Sequence, residues 1–248
     1  MIKLKNASQI ERMRKAGRIV AETLELMREH AKPGVTTLDL DRMAEKYIRS
    51  QGAIPTFKGY NGFPASLCTS VNEQVVHGIP SLRCLESGDI ISIDCGATLD
   101  GYVGDAAVTL PIGEVGEDIQ KLLRVTEESL MIGIAQAKVG NRLYDVSHAV
   151  QTHVEANGFS VVRDYVGHGI GSAMHEDPQI PNFGKPGRGP RLEVGMALAI
   201  EPMVNMGTYE VQTLKDHWTV VTKDNRPSAH FEHTVAITEN GLEILTRC

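Results

Sequence analysis

The sequence predicts an α+β fold, with a largely antiparallel sheet and helices on one side. Three observations lead there. Helical and strand patterns come in blocks instead of strict βαβ alternation. The block order, two helices and then several strands, occurs twice. The chain also repeats itself. Leu85-Glu86-Ser87-Gly88-Asp89-Ile90-Ile91-Ser92-Ile93-Asp94 aligns without a gap on Leu192-Glu193-Val194-Gly195-Met196-Ala197-Leu198-Ala199-Ile200-Glu201, an offset of 107 residues (192 − 85). The segments from Val76 to Ser81 and from Gly167 to Ser172 form a second pair; those from Ala31 to Gly52 and from Ala137 to Gly158 form a third, offset by 106 (137 − 31). A period this long is a duplicated half-domain, not a solenoid. No linker composition separates the halves, so the 248 residues are expected to form a single domain, with halves at about 1–113 and 114–248.

Taken in order, Ser8 with Glu11 three residues on reads as a capping box. Ile10, Met13, Gly17, Val20, Leu24 and Met27 then recur at helical spacing, which predicts an amphipathic helix to about Ala31, before Pro33-Gly34. Thr36 with Asp39 opens a second helix through Tyr47 and Ile48 to Gly52. Thr69–Val76, Asp89–Ala97 and Asp105–Leu110 read as strands, with Asp100-Gly101 as a turn. The second half gives helices at about Asp118–Ala137 and Tyr144–Asn157. Strands are expected near Val161–Val166, Met196–Val204, Trp218–Thr222 and His230–Thr238, and a Pro- and Gly-rich loop over Pro181–Arg191.

The bulk properties exclude several classes. A net charge of −6 argues against nucleic-acid specificity or a membrane-surface role. The basic residues near the N-terminus, from Lys3 to Arg18, read first as a solvated helix face. The first residues lack the apolar stretch of a signal peptide, and no run of 18 or more apolar residues occurs. Cys68, Cys84, Cys95 and Cys248 form no CxxC pair, so neither a zinc knuckle nor a disulfide scaffold is expected. A cytoplasmic monomer is the expectation.

Four carboxylates and a histidine carry chemistry: Asp94, Asp105, His168, Glu201 and Glu232. Asp94 and Glu201 occupy equivalent repeat positions at strand ends, which a solvated face does not predict. Asp105 follows the Asp100-Gly101 turn, and Glu232 opens a matching strand. Converging carboxylates without a cation would have to stay partly protonated. A pair of divalent metals removes that conflict, and oxygen-rich ligation with one imidazole suits Mn(II), Fe(II), Co(II) or Zn(II) alike. The run Gly167-His168-Gly169-Ile170-Gly171 lacks the last glycine of a dinucleotide fingerprint and carries a histidine inside it, so its glycines read as close backbone approach around a ligand. His175 follows seven residues later, within reach of the same site.

These residues resemble a known family. His77-Gly78-Ile79-Pro80, Asp94-Cys95-Gly96, Gly104-Asp105, Gly167-His168-Gly169-Ile170-Gly171, Met174-His175-Glu176-Asp177-Pro178, Glu201-Pro202 and Phe231-Glu232-His233-Thr234 look like the motifs of type I methionine aminopeptidases. The resemblance covers the chain from its first helix to about Leu245. It implies the pita-bread fold, a curved antiparallel sheet with outer helices and an internal pseudo-twofold repeat. It also implies removal of N-terminal methionine from nascent chains and peptides whose second residue is small.

By the same resemblance, Asp94 would hold one metal through both oxygens, Asp105 and Glu232 would bridge two metals, and His168 and Glu201 would complete the other. A bridging water or hydroxide would be the nucleophile, in keeping with aminopeptidases as established two-metal hydrolases. Glu201 would shuttle the proton to the leaving amine, His175 would stabilise the oxyanion, and His77 would contact the scissile amide nitrogen. Tyr60, Phe63, Cys68, His77, Met174 and Trp218 would line the side-chain pocket, with Phe57 equally readable as core. Met174 stands where an aromatic is common and His230 where a glutamine is common. His230, two residues before Glu232, is expected on the same strand face, and its role is open.

Two other readings share these motifs. Xaa-Pro aminopeptidases and prolidases use the same five ligands behind a large extra N-terminal domain, whereas only about ninety residues precede Asp94 here. Type II methionine aminopeptidases carry a helical insertion between the third and fourth ligands, but His168 and Glu201 are only 33 apart (201 − 168). A metal-free pita-bread binding protein would have lost ligands, and this chain keeps all five. Docking of the N-terminal helix on the ribosome is left open.

Overall fold

The computed structural model describes residues 1–248. Four helices, α1 (Ala7–His30), α2 (Thr37–Ser50), α3 (Glu117–Ile134) and α4 (Leu143–Ala156), alternate in pairs with blocks of strands. The first block holds β1 (Ile54–Pro55), β2 (Leu67–Val71), β3 (Gln74–Val76), β4 (Ile90–Leu99) and β5 (Tyr102–Pro111), with one 3₁₀ turn at Tyr60–Gly62. The second holds β6 (Ser160–Val161), β7 (Gly167–Gly169), β8 (Glu176–Ile180), β9 (Ala197–Ile200), β10 (Met203–Asn205), β11 (Val211–Thr213), β12 (Val220–Thr222), β13 (Ser228–His230), β14 (Glu232–Thr238) and β15 (Gly241–Ile244). Nine strands form one antiparallel sheet in the order β1-β4-β5-β14-β9-β7-β8, with β2 also on β4 and β15 also on β14. Two three-stranded sheets, β13-β10-β6 and β11-β12-β3, flank it.

Alternation along the central strands sorts the two faces. Ile91, Ile93 and Cys95 of β4, Ala106 and Val108 of β5, Leu198 and Ile200 of β9, and Val235 and Ile237 of β14 join the main core with Val20 and Leu24 of α1 and Leu122 and Leu130 of α3. The residues between them point to the other face, where Ala197, Ala199 and Ala236 meet Phe57, Phe63, Cys68 and Met174. One face is therefore committed to the helices, and the opposite face carries the site. The approach of α1 to β5 is glycine-dependent. A Cβ on Gly104 would lie 2.6 Å from the backbone nitrogen of Gly17, and one on Gly17 would lie 2.4 Å from the carbonyl oxygen of Leu245.

Several elements differ from the sequence reading. Helix α1 starts at an Asn6–Gln9 capping box, not at Ser8–Glu11: Gln9 N donates to Asn6 Oδ1 at 3.0 Å and Asn6 N donates to Gln9 Oε1 at 2.9 Å. The expected strand Thr69–Val76 is broken by a turn at Asn72, which adopts φ 57, so β2 and β3 belong to different sheets. Met196–Val204 splits at Glu201-Pro202 into β9 and β10, and His230–Thr238 splits at Phe231 into β13 and β14. In both cases the chain leaves one sheet for another. The expected strand Val161–Val166 is reduced to Ser160–Val161, while β7 and β8 arise in segments where the sequence pattern predicts no strand. Thr36–Asp39 does cap α2. The Asp100-Gly101 turn has positive φ at both residues, 50 and 75, as a tight two-residue hairpin requires.

Lys5, Arg14 and Arg18 of the N-terminal basic residues are paired within the fold. Arg14 pairs with Glu11 and Glu243, Arg18 with Glu22, and Arg28 with Glu25. Lys5 forms a buried pair with Glu176 at 2.8 Å. No helix is long and apolar enough to cross a membrane.

Candidate active site and metal centre

Strand register brings the carboxylates together. Ala107 on β5 is opposite Asp94 on β4 and opposite Glu232 on β14, so these two side chains flank it on one face. Asp105 lies two residues from Ala107 and shares that face. His233 pairs with Ile200, which places Glu201, one residue beyond the end of β9, level with Glu232. His168 on β7 pairs with Ala199, two residues before Glu201. Small residues between the ligand positions let them converge: a Cβ on Gly169 would lie 2.1 Å from the carbonyl oxygen of Asp177.

Contact geometry follows from that register. His168 Nε2 lies 3.7 Å from Asp105 Oδ2 and 3.5 Å from Glu201 Oε1. Its Nδ1 faces the carbonyl oxygen of Gly169 at 2.9 Å, which fixes the ring proton on Nδ1 and leaves Nε2 free to accept a cation. Thr234 accepts from Asp105 N at 3.1 Å and donates to Asp105 O at 2.7 Å. Asn182 Nδ2 donates to Glu201 O at 3.0 Å. Backbone anchors thus position two of the carboxylates.

The side chains themselves are short of partners. Asp94 Oδ1, Asp105 Oδ1 and Glu232 Oε1 are buried with no hydrogen bond. Burial, together with the Asp105 charge, pushes the Asp94 carboxyl well above its usual range. Burial, Asp105 and Asp94 do the same to Glu201, and burial, Asp105 and Glu201 to Glu232. Burial pushes Asp105 up to about 7, opposed by the adjacent Glu232 and Asp94 carboxyls. Orphaned carboxylate oxygens facing one another in a dry site fit divalent cations, which neutralise the charge and use the lone pairs. Asp105, His168 and Glu232 offer one set of three ligand atoms within 4.8 Å of one another.

A cavity of about 70 Å³ opens against this cluster, its apolar wall built from Phe57, Tyr60, Phe63, Cys68, Met174 and Trp218. Its polar wall is Asp94, Asp105, His168, Glu201 and Glu232, with His77 and His175. Every residue expected at the site lines this cavity, and Phe57, which the sequence left between core and pocket, is both buried and on its wall. Trp218 meets Phe63 edge-on, with centroids 5.1 Å apart. His77 has φ 60, a left-handed conformation uncommon outside glycine, beside a Gly78 whose Cβ would lie 2.2 Å from the Thr69 carbonyl oxygen. His175 Nδ1 is 2.8 Å from the Tyr60 hydroxyl, and its ring centroid is 4.3 Å from that of His168. Burial and the neighbouring His168 lower His175 to about 4; burial and His175 lower His77 to about 4. Both are therefore neutral near pH 7.

His230 lies on β13, not on the strand of Glu232, because the chain changes sheets at Phe231. Its ring still reaches the acids: Nε2 is 3.7 Å from Glu201 Oε2 and 3.9 Å from Glu232 Oε2. It is not on the wall of the cavity.

Residues 11–239 match the model of metallopeptidase family M24. The chain is 61% identical over 249 residues to a methionine aminopeptidase of Clostridium acetobutylicum, and 60% identical over 247 residues to methionine aminopeptidase 1 of Bacillus subtilis, each match covering 100% of both chains. Its fold superposes on the crystal structure of a methionine aminopeptidase from Thermotoga maritima with a TM-score of 0.98 and 50% identity, covering 100% of both chains. The fold is thus the pita-bread fold. The chain belongs to metallopeptidase family M24.

Proposed function

We propose that this chain is a metal-dependent aminopeptidase that removes the N-terminal methionine of peptides and nascent chains with a small second residue. The observation that carries this reading is the juxtaposition of a thioether-sized apolar cavity with a cluster of four carboxylates and one imidazole. About 70 Å³ accommodates roughly five water-sized groups, the scale of one unbranched side chain. Aromatic rings, the Cys68 thiol and Met174 suit a polarizable thioether. The full-length likeness to methionine aminopeptidases supports the same substrate.

Asp94, Asp105, His168, Glu201 and Glu232 would hold two divalent ions, of Co, Mn, Fe or Zn. When bound, such ions supply a nucleophile available near neutral pH and polarise the scissile carbonyl. The protein groups do the rest. Glu201, on the cavity wall, accepts the proton of the attacking water and passes it to the leaving amine. A neutral His175 that accepts the Tyr60 hydroxyl at Nδ1 carries its proton on Nε2, the form that donates to the carbonyl oxygen as it gains charge. His77, held in its left-handed turn, faces the scissile amide nitrogen. The apolar walls cover the methionine side chain and leave the second residue at the rim.

The test is hydrolysis of Met-Ala-Ser against Ala-Pro-Ala by chelator-stripped protein, with and without added Co(II) or Mn(II). Metal-dependent release of methionine from the first peptide alone supports the reading. Cleavage of Ala-Pro-Ala instead assigns a proline-specific peptidase, and absence of metal binding assigns a binding protein.

A further inference from the structure

His230 is the one buried imidazole at the centre that the proposed chemistry leaves unused. Its side chain is 2% exposed, and its Nε2 has no hydrogen-bond partner. The backbone on either side is tied down: Thr109 Oγ1 accepts from His230 N at 2.8 Å and donates to His230 O at 2.7 Å. The ring is thus held with a bare nitrogen directed at two carboxylates. Its separations from Glu201 Oε2 and Glu232 Oε2, 3.7 and 3.9 Å, are too long for hydrogen bonds. They match those of His168 from Asp105 and Glu201, 3.7 and 3.5 Å. Ligand atoms at about 2.1 Å from one tetrahedral cation sit about 3.4 Å apart, so spacings of this size leave room for an ion between them. Glu201 stands between the two imidazoles, with Oε1 turned to His168 and Oε2 turned to His230.

We propose that Glu201, His230 and Glu232 form an additional divalent-cation position, distinct from the positions assigned to the five ligands above. The three ligand atoms lie within 4.8 Å of one another, and two of the three residues are buried. The inference rests on the metallopeptidase reading only in that Glu201 and Glu232 are shared with the main centre. Four carboxylates balance two divalent ions, so a further ion adds unbalanced charge and binds more weakly than those two. An imidazole with few alternatives favours Co(II) and Zn(II) over Mg(II) or Ca(II) at this position.

The experiment is calorimetric titration of Co(II) and of Zn(II) into chelator-stripped wild-type protein, His230→Gln and His230→Ala. The expected result is a weaker binding event in the wild type after the tight ions are bound. In both variants that event is weakened at least about tenfold, the scale on which loss of a ligand or its support acts, while the tight events remain. A second readout needs no variant. In wild-type protein loaded with excess Co(II), proton NMR should show a second hyperfine-shifted imidazole N–H beside that of His168. Equal stoichiometry in all three proteins, with only one shifted imidazole N–H, would overturn the proposal and leave His230 a water-bridged or hydrogen-bonded imidazole only. Loss of the tight events from the wild type as well would instead remove the metallopeptidase reading.

Discussion

Asp94 and Glu232 face the same residue, Ala107, from opposite sides of β5, and that shared register partner is what makes one site from two halves of the chain. One acid comes from the first half and the other from the second. Asp105 and Glu201 then fall on the same face by the two-residue period of the strands.

Such a cluster predicts strong pH dependence of metal binding. Without a cation, Asp94, Glu201 and Glu232 are raised well above the usual range, and Asp105 to about 7. A cation must displace those protons. Apparent affinity for Mn(II) should therefore rise steeply from pH 6 to pH 8. Titrations in buffers of different ionisation enthalpy should show proton release at pH 7. No release would mean that the carboxylates are already ionised in the metal-free protein.

The same shifts set the stability of the metal-free protein. A folded pKa of about 7 for Asp105, against 3.8 unfolded, contributes stability that is fully present below pH 4 and is lost as pH rises through 7. Asp105→Asn should match the metal-free wild type near pH 4 and exceed it at pH 8. Denaturant melts at the two pH values read this directly. A variant less stable at pH 8 would contradict the sign.

How much of this was legible in the sequence depends on what each segment answers to. The β-branched, apolar run of β4 and the Thr36–Asp39 cap are local, and both appear where the residues put them. At the N-terminus two capping boxes overlap, Asn6 with Gln9 and Ser8 with Glu11, and local sequence cannot choose; the fold uses the earlier. The breaks at Pro202 and Phe231 are tertiary, since each apolar run continues while the chain changes sheets. Pro202 was the available signal, because proline is poorly tolerated inside a central strand. Strands β7 and β8 are glycine-rich and charged, and they are held by neighbours instead of by β propensity. Asp94 and Glu201 stood out because the repeat gives them equivalent positions, whereas the other proposed site residues were carried by the family motifs. The unpartnered state of His230 was not legible, because it depends on what packs around the ring.

His175→Ala should lower kcat by about 10²–10³ while leaving metal content unchanged. Tyr60→Phe, which removes the hydroxyl on His175 Nδ1, should lower kcat by a smaller factor. Loss of bound metal in His175→Ala would make the residue a structural support of the centre.

Specificity at the second substrate residue follows from the small size of the pocket. With methionine seated as proposed, the next residue would lie against His77 and the carboxylate cluster, which line the same cavity. Met-Ala-Ser should be cleaved at least about a hundredfold more efficiently than Met-Ile-Ser, the scale of a clash worth a few kcal/mol. Comparable kcat/KM for the two would remove the rim from the account even with the metal ligands intact.

Packing of α1 on the sheet gives a prediction independent of the chemistry. Gly104→Ala places a methyl group 2.6 Å from the Gly17 backbone nitrogen. Overpacking of this kind should cost about 1–3 kcal/mol, seen as a lower denaturant midpoint with unchanged slope.

The central claim is that Asp94, Asp105, His168, Glu201 and Glu232 hold a pair of metal ions. Anomalous diffraction from crystals of protein loaded with two equivalents of Mn(II) tests it most directly. The account predicts two peaks about 3.5–4 Å apart, with Asp105 and Glu232 touching both, Asp94 touching one, and His168 and Glu201 the other. Metal bound elsewhere, or a single ion with Asp94 and Asp105 turned away from each other, would contradict it.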